Sequence, residues 1–468
     1  MITAGNHDPK GEIGMNPKEA CEAKWLPLEG AERIERVRSI VMETARRLKD
    51  PEEIERFALA EEQKRIEQGK FYVKWNGLHL ARGYSGLCLL FGELDRLEPD
   101  RQWDVAGHRY VVLVQQALER QGIESLSLWS GMAGVVTGIQ ALSRQGTRYG
   151  NMLRSLNDFF LRMFPEYMYV VRRNIKEGVL MSDYDVMQGL SGIGRYLLHF
   201  KEHPEMRIAL TQVLEYMVEL CRFKELQDSR VPGWYISPDR LMSTSDQELY
   251  PEGYFNCGVS HGIPGPLALL SLAHQQGVEV EGGREAIQSV AEWLMRFTIR
   301  DEYGPFWPAH VSWQEQAAGA ASGSPPREAW CYGGPGVART LWLAGQALGE
   351  PAWRQAAIES FLGTARRPER LWNLHSATFC HGFAGLLQMT QRIIADAGTA
   401  ELIPLRDRLV DRIVQSYDAS APYGFTELEE GEKLHFAGVL DGAAGVALAL
   451  LAVMQDREPE WDRVFLLN

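Results

Sequence analysis

Residues 439–454 read VLDGAAGVALALLAVM, in which two glycines three positions apart, Gly442 and Gly445, precede an almost wholly apolar run. A run without a polar face predicts a helix that is buried nearly all round. The same pattern recurs along the chain, so an internal repeat organises the sequence. Its seven copies begin at Gly83, Gly131, Gly189, Gly262, Gly333, Gly382 and Gly442.

The spacing of the copies indicates what each repeat contains. Successive first glycines lie 48, 58, 73, 71, 49 and 60 residues apart, which leaves room for two helices and their connections. Before each apolar run lies a longer stretch with helical periodicity and one charged face, typical of a half-exposed helix. We therefore predict inner helices after the glycines and outer helices near 32–50, 103–120, 151–164, 204–223, 284–300, 352–366 and 401–417.

The last copy of the repeat decides between an open and a closed arrangement. An open solenoid needs polar capping repeats at its ends, whereas the seventh copy is as apolar as the others. We predict an all-α fold, an α/α toroid that forms a double barrel of seven inner and seven outer helices. Every Gly-x-x-Gly turn should lie at one end, where glycine gives the turn conformational freedom and lets inner helices approach closely.

The predicted domain organisation follows from the repeat. An N-terminal extension covers residues 1–30, and the toroid covers 31–468 with loop insertions near 224–258 and 301–329. These two segments hold prolines, aromatics and polar residues without helical periodicity, as expected of loops over the barrel mouth. Periodicity places no strand in either of them.

Composition and charge exclude several classes of protein. The chain has 468 residues, of which 45% are hydrophobic, so it can bury a large core. It has no apolar stretch near ~20 residues that would span a membrane, and its polar first residues do not resemble a secretory signal. The net charge of -13 does not suit a nucleic acid partner. Six scattered cysteines fit a reducing compartment, and we expect a cytoplasmic protein.

Two positions directly before the first glycine can be aligned across the seven repeats. The outer position holds Ala81, Trp129, Met187, Ser260, Cys331, Cys380 and Leu440, and the inner position holds Arg82, Ser130, Gln188, His261, Tyr332, His381 and Asp441. Polar and metal-binding residue types are concentrated in the fourth to sixth copies. We therefore expect the functional site to lie at these turns.

Cys331 and Cys380 occupy the same position in consecutive repeats, and His381 directly follows the second cysteine. Closure of the ring would make the fifth and sixth turns neighbours at the mouth. Two thiolates and one imidazole are suitable zinc ligands, and three protein ligands with an open fourth position are typical of catalytic zinc. The sequence therefore predicts a zinc site formed by Cys331, Cys380 and His381.

Cys257 is a competing ligand, because Cys257-x-x-x-His261 also has ligand-like spacing. It lies outside the register shared by Cys331 and Cys380, so we interpret it as a small buried core residue. The other thiols and imidazoles without register support are expected to be structural, packed or solvated: Cys21, Cys88, Cys221, His375 and His435.

Four stretches of the chain match the motifs of one family. They read WCYGGPG (330–336), CHG (380–382), SHGIPG (260–265) and DVMQGLSG (185–192). These stretches resemble the signature motifs of the class I lanthipeptide (LanC-type) cyclases, and the resemblance runs from the first repeat to the seventh. Residues 1–30 have no evident counterpart in the family.

The resemblance implies a reaction, a cofactor and partners. Cyclases of this family add cysteine thiols of a precursor peptide to dehydroalanine or dehydrobutyrine, which closes thioether (lanthionine) rings on an α/α toroid. The implied partners are the dehydrated precursor, the dehydratase that prepares it and an ABC-type exporter, through which a cytoplasmic protein would associate with the membrane. The resemblance implies zinc ligands at Cys331, Cys380 and His381, and active-site residues at Asp185, His261, Arg327 and Tyr332.

The implied reaction assigns a task to each of these residues. Zinc would remove the proton from the substrate thiol, and attack on the β-carbon would give an enolate. Arg327 would stabilise the enolate charge. His261 or Tyr332 would then donate a proton to the α-carbon, with Asp185 orienting or charging the histidine. If they take no part in the reaction, Arg327 is expected to be a surface arginine on a loop, and Asp185 is expected to be a helix N-cap before the third turn.

Three other functions remain open on the sequence. The same zinc site would serve a LanC-like transferase that adds glutathione to dehydroamino acids. A non-catalytic scaffold would use zinc only for stability and would dock a peptide. A toroidal carbohydrase would need two carboxylates facing the cavity, for which Asp185 and Asp441 are the candidates.

Overall fold

The computed structural model describes residues 25–226, 229–241, 243–429 and 431–468, so most of the extension predicted over 1–30 lies outside the described residues. Helices dominate the described part. In chain order they are α1 (Ala31–Arg47), α2 (Pro51–Glu67), α3 (Tyr84–Leu97), α4 (Trp103–Gln121), α5 (Met132–Ala141), α6 (Gly150–Glu177), α7 (Met181–Tyr184), α8 (Leu190–His199), α9 (Pro204–Leu220), α10 (Thr244–Leu249), α11 (Pro264–Gln275), α12 (Gly283–Arg296), α13 (Trp313–Ala318), α14 (Gly334–Leu348), α15 (Pro351–Arg366), α16 (Phe383–Ala397), α17 (Ile403–Gln415) and α18 (Ala443–Val453).

Seven of these helices start at the Gly-x-x-Gly turns and form the inner wall: α3, α5, α8, α11, α14, α16 and α18. All the residues of α18 are buried, as its apolar sequence requires. Each inner helix contacts the next, and α18 contacts α3, so the ring is closed. The predicted α/α toroid is therefore confirmed.

The outer helices are α1, α4, α6, α9, α12, α15 and α17, at the seven predicted places. Each of the first six inner helices packs against the outer helix that follows it in the chain, as α14 does with α15. The seventh inner helix, α18, packs instead against α1, the first outer helix. The two ends of the described chain therefore meet in one helix pair.

A continuous belt of backbone hydrogen bonds joins the seven turns at one end of the barrel. Its members are the seven residues of the outer aligned position, together with Val186. The N–H to O=C bonds run from Ala81 to Trp129 (3.3 Å), Trp129 to Met187 (3.4 Å), Val186 to Ser260 (3.1 Å), Ser260 to Cys331 (3.4 Å), Cys331 to Cys380 (3.3 Å), Cys380 to Leu440 (2.9 Å) and Leu440 to Ala81 (3.1 Å). The prediction that all turns share one end is confirmed.

The glycines of the turns are needed mainly because a side chain would collide with neighbouring backbone atoms. The expectation that they provide conformational freedom is therefore wrong for most of the turns. Gly442, for example, has φ -133° and ψ -179°, an extended conformation open to any residue. A Cβ on Gly445 would overlap the carbonyl oxygen of Val439, the residue that enters the turn. Gly333 differs, because its φ of 114° lies where side chains are rarely tolerated.

Short antiparallel strands occur in or at the edges of the two segments predicted as loops, and one further hairpin, β7–β8, lies between the last outer and the last inner helix. The strands are β1 (Phe223–Leu226), β2 (Ser229–Pro232), β3 (Tyr254–Asn256), β4 (Ile299–Arg300), β5 (Pro305–Phe306), β6 (His310–Ser312), β7 (Glu427–Glu429) and β8 (Glu432–Leu434). β3 pairs with β6, which joins the segment near 224–258 to the segment near 301–329. The other pairs are the hairpins β1–β2, β4–β5 and β7–β8.

Residues 461–468, which we call the axial segment, lie inside the ring. The fully buried ring of Phe465 stacks on Phe379 with the centroids 3.7 Å apart, and it also contacts Trp129 at 4.9 Å and Trp330 at 5.1 Å. Because these three partners directly precede the sixth, second and fifth turns, Phe465 lies between the turns.

Among the helices of the described residues, none combines the length and the apolar character needed to span a membrane.

Candidate active site

The belt brings together the three residues that the register selected as metal ligands. The donor atoms of Cys331, Cys380 and His381 all lie within 4.8 Å of one another. Cys331 precedes α14 and Cys380 precedes α16, and the belt bond between them holds the fifth and sixth turns side by side. The ring-closure argument therefore predicted their proximity correctly.

The hydrogen bonds within this cluster favour a thiolate at Cys331. A hydrogen bond from Cys380 lowers the pKa of Cys331 to about 5, and the pKa of Cys380 is raised by the same contact. Burial lowers the pKa of His381, but hydrogen bonds with Cys331 and Glu427 outweigh burial and raise it to about 10. Two sulfurs and one imidazole at this spacing fit a metal ion with a further open position. The cluster could hold such an ion.

Cys257 is separate from the cluster, as its lack of register predicted. Its buried thiol donates to the carbonyl oxygen of Phe255 at 3.8 Å, and burial raises its pKa. Cys88 and Cys221 are also buried within the core. Cys21, which we expected to be structural, lies outside the described residues.

Asp185 and His261 form a hydrogen-bonded pair beside the cluster. His261 Nδ1 donates to Asp185 Oδ2 at 2.7 Å, while Asp185 Oδ1 accepts the N–H groups of Gln188 (2.6 Å) and Gly189 (2.8 Å). The aspartate therefore caps the third turn with one oxygen and contacts the histidine with the other. Burial lowers the pKa of His261, but the hydrogen bond and charge of Asp185 outweigh burial and raise it.

Arg327 lies half-buried at the start of the fifth turn, and its positive charge helps to lower the pKa of Cys331. The next residue, Glu328, is buried and pairs with Arg367 at the end of α15. A Cβ at Gly333 would overlap the carbonyl oxygen of Arg327. These contacts fix the backbone that carries the guanidinium near the cluster.

The sequence model of the lanthionine synthetase C-like protein family matches residues 74–466. The chain belongs to this family. It is 28% identical over 341 residues to nisin biosynthesis protein NisC of Lactococcus lactis subsp. lactis, a match that spans 71% of this chain and 77% of NisC.

A solved structure of nisin cyclase has the same fold as this lanthionine synthetase C-like chain. The two structures agree with a TM-score of 0.73 over 89% of this chain and 97% of nisin cyclase, at 23% identity. The family model begins at residue 74, so α1 and α2 precede the matched region.

Sequence reasoning missed Asn256, which orients Tyr332 in this family member. The buried Asn256 amide Nδ2 donates to Tyr332 Oη at 3.1 Å, and its Oδ1 accepts the N–H of Gly258 at 2.9 Å. Gly258 is required because a Cβ there would press against the Tyr332 ring. Asn256 lies on the three-residue strand β3, which is too short for a periodicity signal.

Two further carboxylates lie close to the turns. Asp441, in the register position of the seventh turn, accepts two hydrogen bonds from Arg82, at 2.6 and 3.1 Å. Since Asp185 contacts His261, each carboxylate proposed for a carbohydrase has its own basic partner. The second carboxylate close to the turns is Glu427, which does not occupy an aligned position of the repeat. Its Oε1 lies 3.5 Å from His381 Nε2.

Proposed function

We propose that this protein is a zinc-dependent lanthionine synthetase, which adds cysteine thiols of a dehydrated precursor peptide to dehydroalanine or dehydrobutyrine. The observation that carries the proposal is the Cys331, Cys380 and His381 cluster in a chain of the lanthionine synthetase C-like family. The likeness to nisin biosynthesis protein NisC supports a biosynthetic peptide as the substrate.

The three ligands suit the task of making a thiol nucleophilic. A free cysteine has a pKa near ~8.5, so little of it is ionised at neutral pH. Zinc held by Cys331, Cys380 and His381 would supply a Lewis acid that deprotonates a substrate thiol at its open position. The thiolates of Cys331 and Cys380 would neutralise the charge of the ion, which would keep the substrate thiolate electron-rich.

The neighbouring side chains suit the remainder of the addition. Attack of the thiol sulfur on the β-carbon forms the C–S bond and leaves negative charge on the amide enolate. Arg327 provides a fixed positive charge for that enolate. His261, whose pKa is raised by its hydrogen bond to Asp185, donates a proton to the α-carbon, and Tyr332 is the alternative donor.

We further propose the partners and the compartment that this reaction requires. A dehydratase must first convert serine and threonine side chains of the precursor to dehydroamino acids, and an ABC-type exporter would remove the product. The cytoplasm suits the two ligand thiols because it keeps cysteines reduced. Association with the membrane would then come through the exporter complex.

Ring closure can be tested directly with a dehydrated precursor peptide encoded near the gene. After incubation with the purified protein, alkylation of the remaining thiols and mass spectrometry count the cysteines that have not reacted. We expect the wild-type protein to leave few alkylatable cysteines. Unchanged alkylation relative to a protein-free control would contradict the proposal.

Glutathione in the same reaction separates cyclisation from thiol transfer. A cyclase should close rings at the same rate with glutathione present, because the peptide cysteine is tethered to its acceptor. Glutathione adducts on the dehydroamino acids, formed faster than rings, would instead identify a transferase.

A further inference from the structure

Glu427 is a buried carboxylate beside the candidate metal centre. It begins β7, and its side chain is only 1% exposed. Removing a carboxylate from water is unfavourable unless hydrogen bonds and a positively charged or N–H partner compensate it. The groups around Glu427 therefore indicate its role.

The two oxygens of Glu427 have separate partners. Oε2 accepts hydrogen bonds from Ser376 Oγ at 2.9 Å and from Thr378 Oγ1. Oε1 accepts the N–H of Leu428 at 3.0 Å and lies 3.5 Å from Nε2 of His381. The segment that leads into the sixth turn thus fixes the carboxylate, and the carboxylate faces the imidazole.

Glu427 is not part of the group that could hold the metal ion. Within the described ranges, that group consists of Cys331, Cys380 and His381. Glu427 contacts the imidazole at Nε2, so Nδ1 is the ring nitrogen left for a metal ion. The carboxylate is therefore placed to act on the metal through the histidine.

We propose that Glu427 is a positioning residue for the metal centre, which accepts the Nε2–H of His381 and so fixes the tautomer and ring orientation in which Nδ1 binds zinc. Metal-binding histidines commonly donate their second N–H to a carboxylate, which also makes the ligand more basic. Ser376 and Thr378 hold the carboxylate in place. The inference rests on the zinc site of the proposed function and extends it to the β7–β8 hairpin.

The affinity of the apoprotein for zinc, measured by competition with a chromophoric chelator, tests this role. Glu427→Gln keeps the size of the side chain and removes its charge. We expect its zinc affinity to be about 10- to 100-fold weaker than that of the wild type. The absorption bands of the cobalt(II)-substituted protein should also shift, because the imidazole is no longer held in one orientation.

Glu93→Gln is a matched control. Glu93 is a buried carboxylate of inner helix α3 that pairs with Arg96 at 2.6 Å, about ten residues beyond the first turn. The same chemical change there should leave the zinc affinity and the cobalt spectrum unchanged. If Glu427→Gln does not fold, Ser376→Ala replaces it, since it removes an anchor of the carboxylate and should weaken zinc binding several-fold.

The outcomes separate this inference from the proposed function. Wild-type zinc affinity and an unchanged cobalt spectrum in folded Glu427→Gln, or in Ser376→Ala if that variant is used, would overturn the role of Glu427 alone. A wild-type protein that binds no zinc would overturn the metal-dependent function together with this role. Zinc binding that falls in Glu427→Gln, in a protein that closes no rings, would support the role and refute the function.

Discussion

At the scale of single residues, the proposed proton donor His261 belongs to a hydrogen-bonded pair. Asp185 is held by two backbone N–H groups of the third turn and contacts His261 in the fourth turn. The aspartate is thus fixed by its own turn before it meets the histidine. This arrangement raises the pKa of His261 through a residue outside the proposed metal ligands.

His261→Asn and Asp185→Asn should separate proton transfer from metal binding. Both variants leave Cys331, Cys380 and His381 intact, so they should keep zinc and fold normally. Ring closure should slow by about 10²- to 10⁴-fold, the usual contribution of a general acid. The rate is measured by alkylation and mass spectrometry, and zinc by metal analysis.

His375→Asn is the control for this pair, because His375 is an exposed histidine next to the sixth turn. It should cyclise at the wild-type rate. Loss of zinc from His261→Asn would instead make His261 a metal ligand. A wild-type rate in His261→Asn would make Tyr332 or water the proton donor.

The pH dependence of ring closure should report the same pair. The pKa of His261 is raised by Asp185 against the opposing effect of burial, so the donor stays protonated until the pH rises through the raised value. In Asp185→Asn, burial and the charge of Cys331 remain but the charge of Asp185 is lost, so the alkaline fall in rate should move to lower pH. An unchanged alkaline limb in this variant would show that another group donates the proton.

The register predicted some of these residues and could not predict others. Cys331, Cys380, His381 and His261 all occupy aligned positions before a glycine, so a repeat argument places them on one ring. Asn256 and Glu427 lie on strands of three residues, outside the repeat. Their roles depend on tertiary contacts that no local pattern records.

At the scale of elements, the helical period predicted the helices better than their ends. The first outer helix was expected near 32–50, but it ends at Arg47, and Asp50 caps α2. The third was expected near 151–164, yet α6 runs through Pro165 to Glu177. Its buried face continues across the proline with Phe164, Met168 and Val171, so packing outweighs the loss of one hydrogen bond.

Gly445→Ala should destabilise the toroid strongly, because its methyl group would overlap the backbone carbonyl of Val439. We expect the free energy of unfolding to fall by about 1–3 kcal/mol or more, as for overpacking in a core. Gly150→Ala is the matched control, since a Cβ there meets nothing within 4 Å and its φ is negative. Thermal denaturation should show a lower Tm for the first variant only, and equal values would contradict the steric account.

At the scale of the whole molecule, the ring is closed by both ends of the described chain. Trp25 Nε1 donates to the carbonyl oxygen of Ala452 at 2.9 Å, and the N–H of Leu28 donates to Val453 at 2.6 Å. Part of the region predicted as an extension therefore packs against α18. The sequence predicted closure from the apolar seventh repeat, but no repeat pattern marks the axial segment that packs against the turns.

Phe465→Ala should open a cavity between the turns that carry the proposed metal ligands. Phe465 is fully buried against Phe379 and Trp330, which directly precede Cys380 and Cys331. Removal of a buried phenylalanine ring lowers the free energy of unfolding by about 3–5 kcal/mol. We also expect weaker zinc binding, because the fifth and sixth turns would no longer pack against a shared side chain. Phe71→Ala, at a phenylalanine that is 58% exposed, should change neither Tm nor zinc affinity.

The metal dependence of ring closure tests the central claim most directly. The purified protein is stripped with a chelator, assayed on a dehydrated precursor, and assayed again after zinc is restored, with Cys331→Ala treated in parallel. We predict that stripping abolishes ring closure, that one zinc per chain restores it in the wild type, and that zinc does not restore it in the variant. Ring closure at the wild-type rate by the metal-free protein would contradict the account.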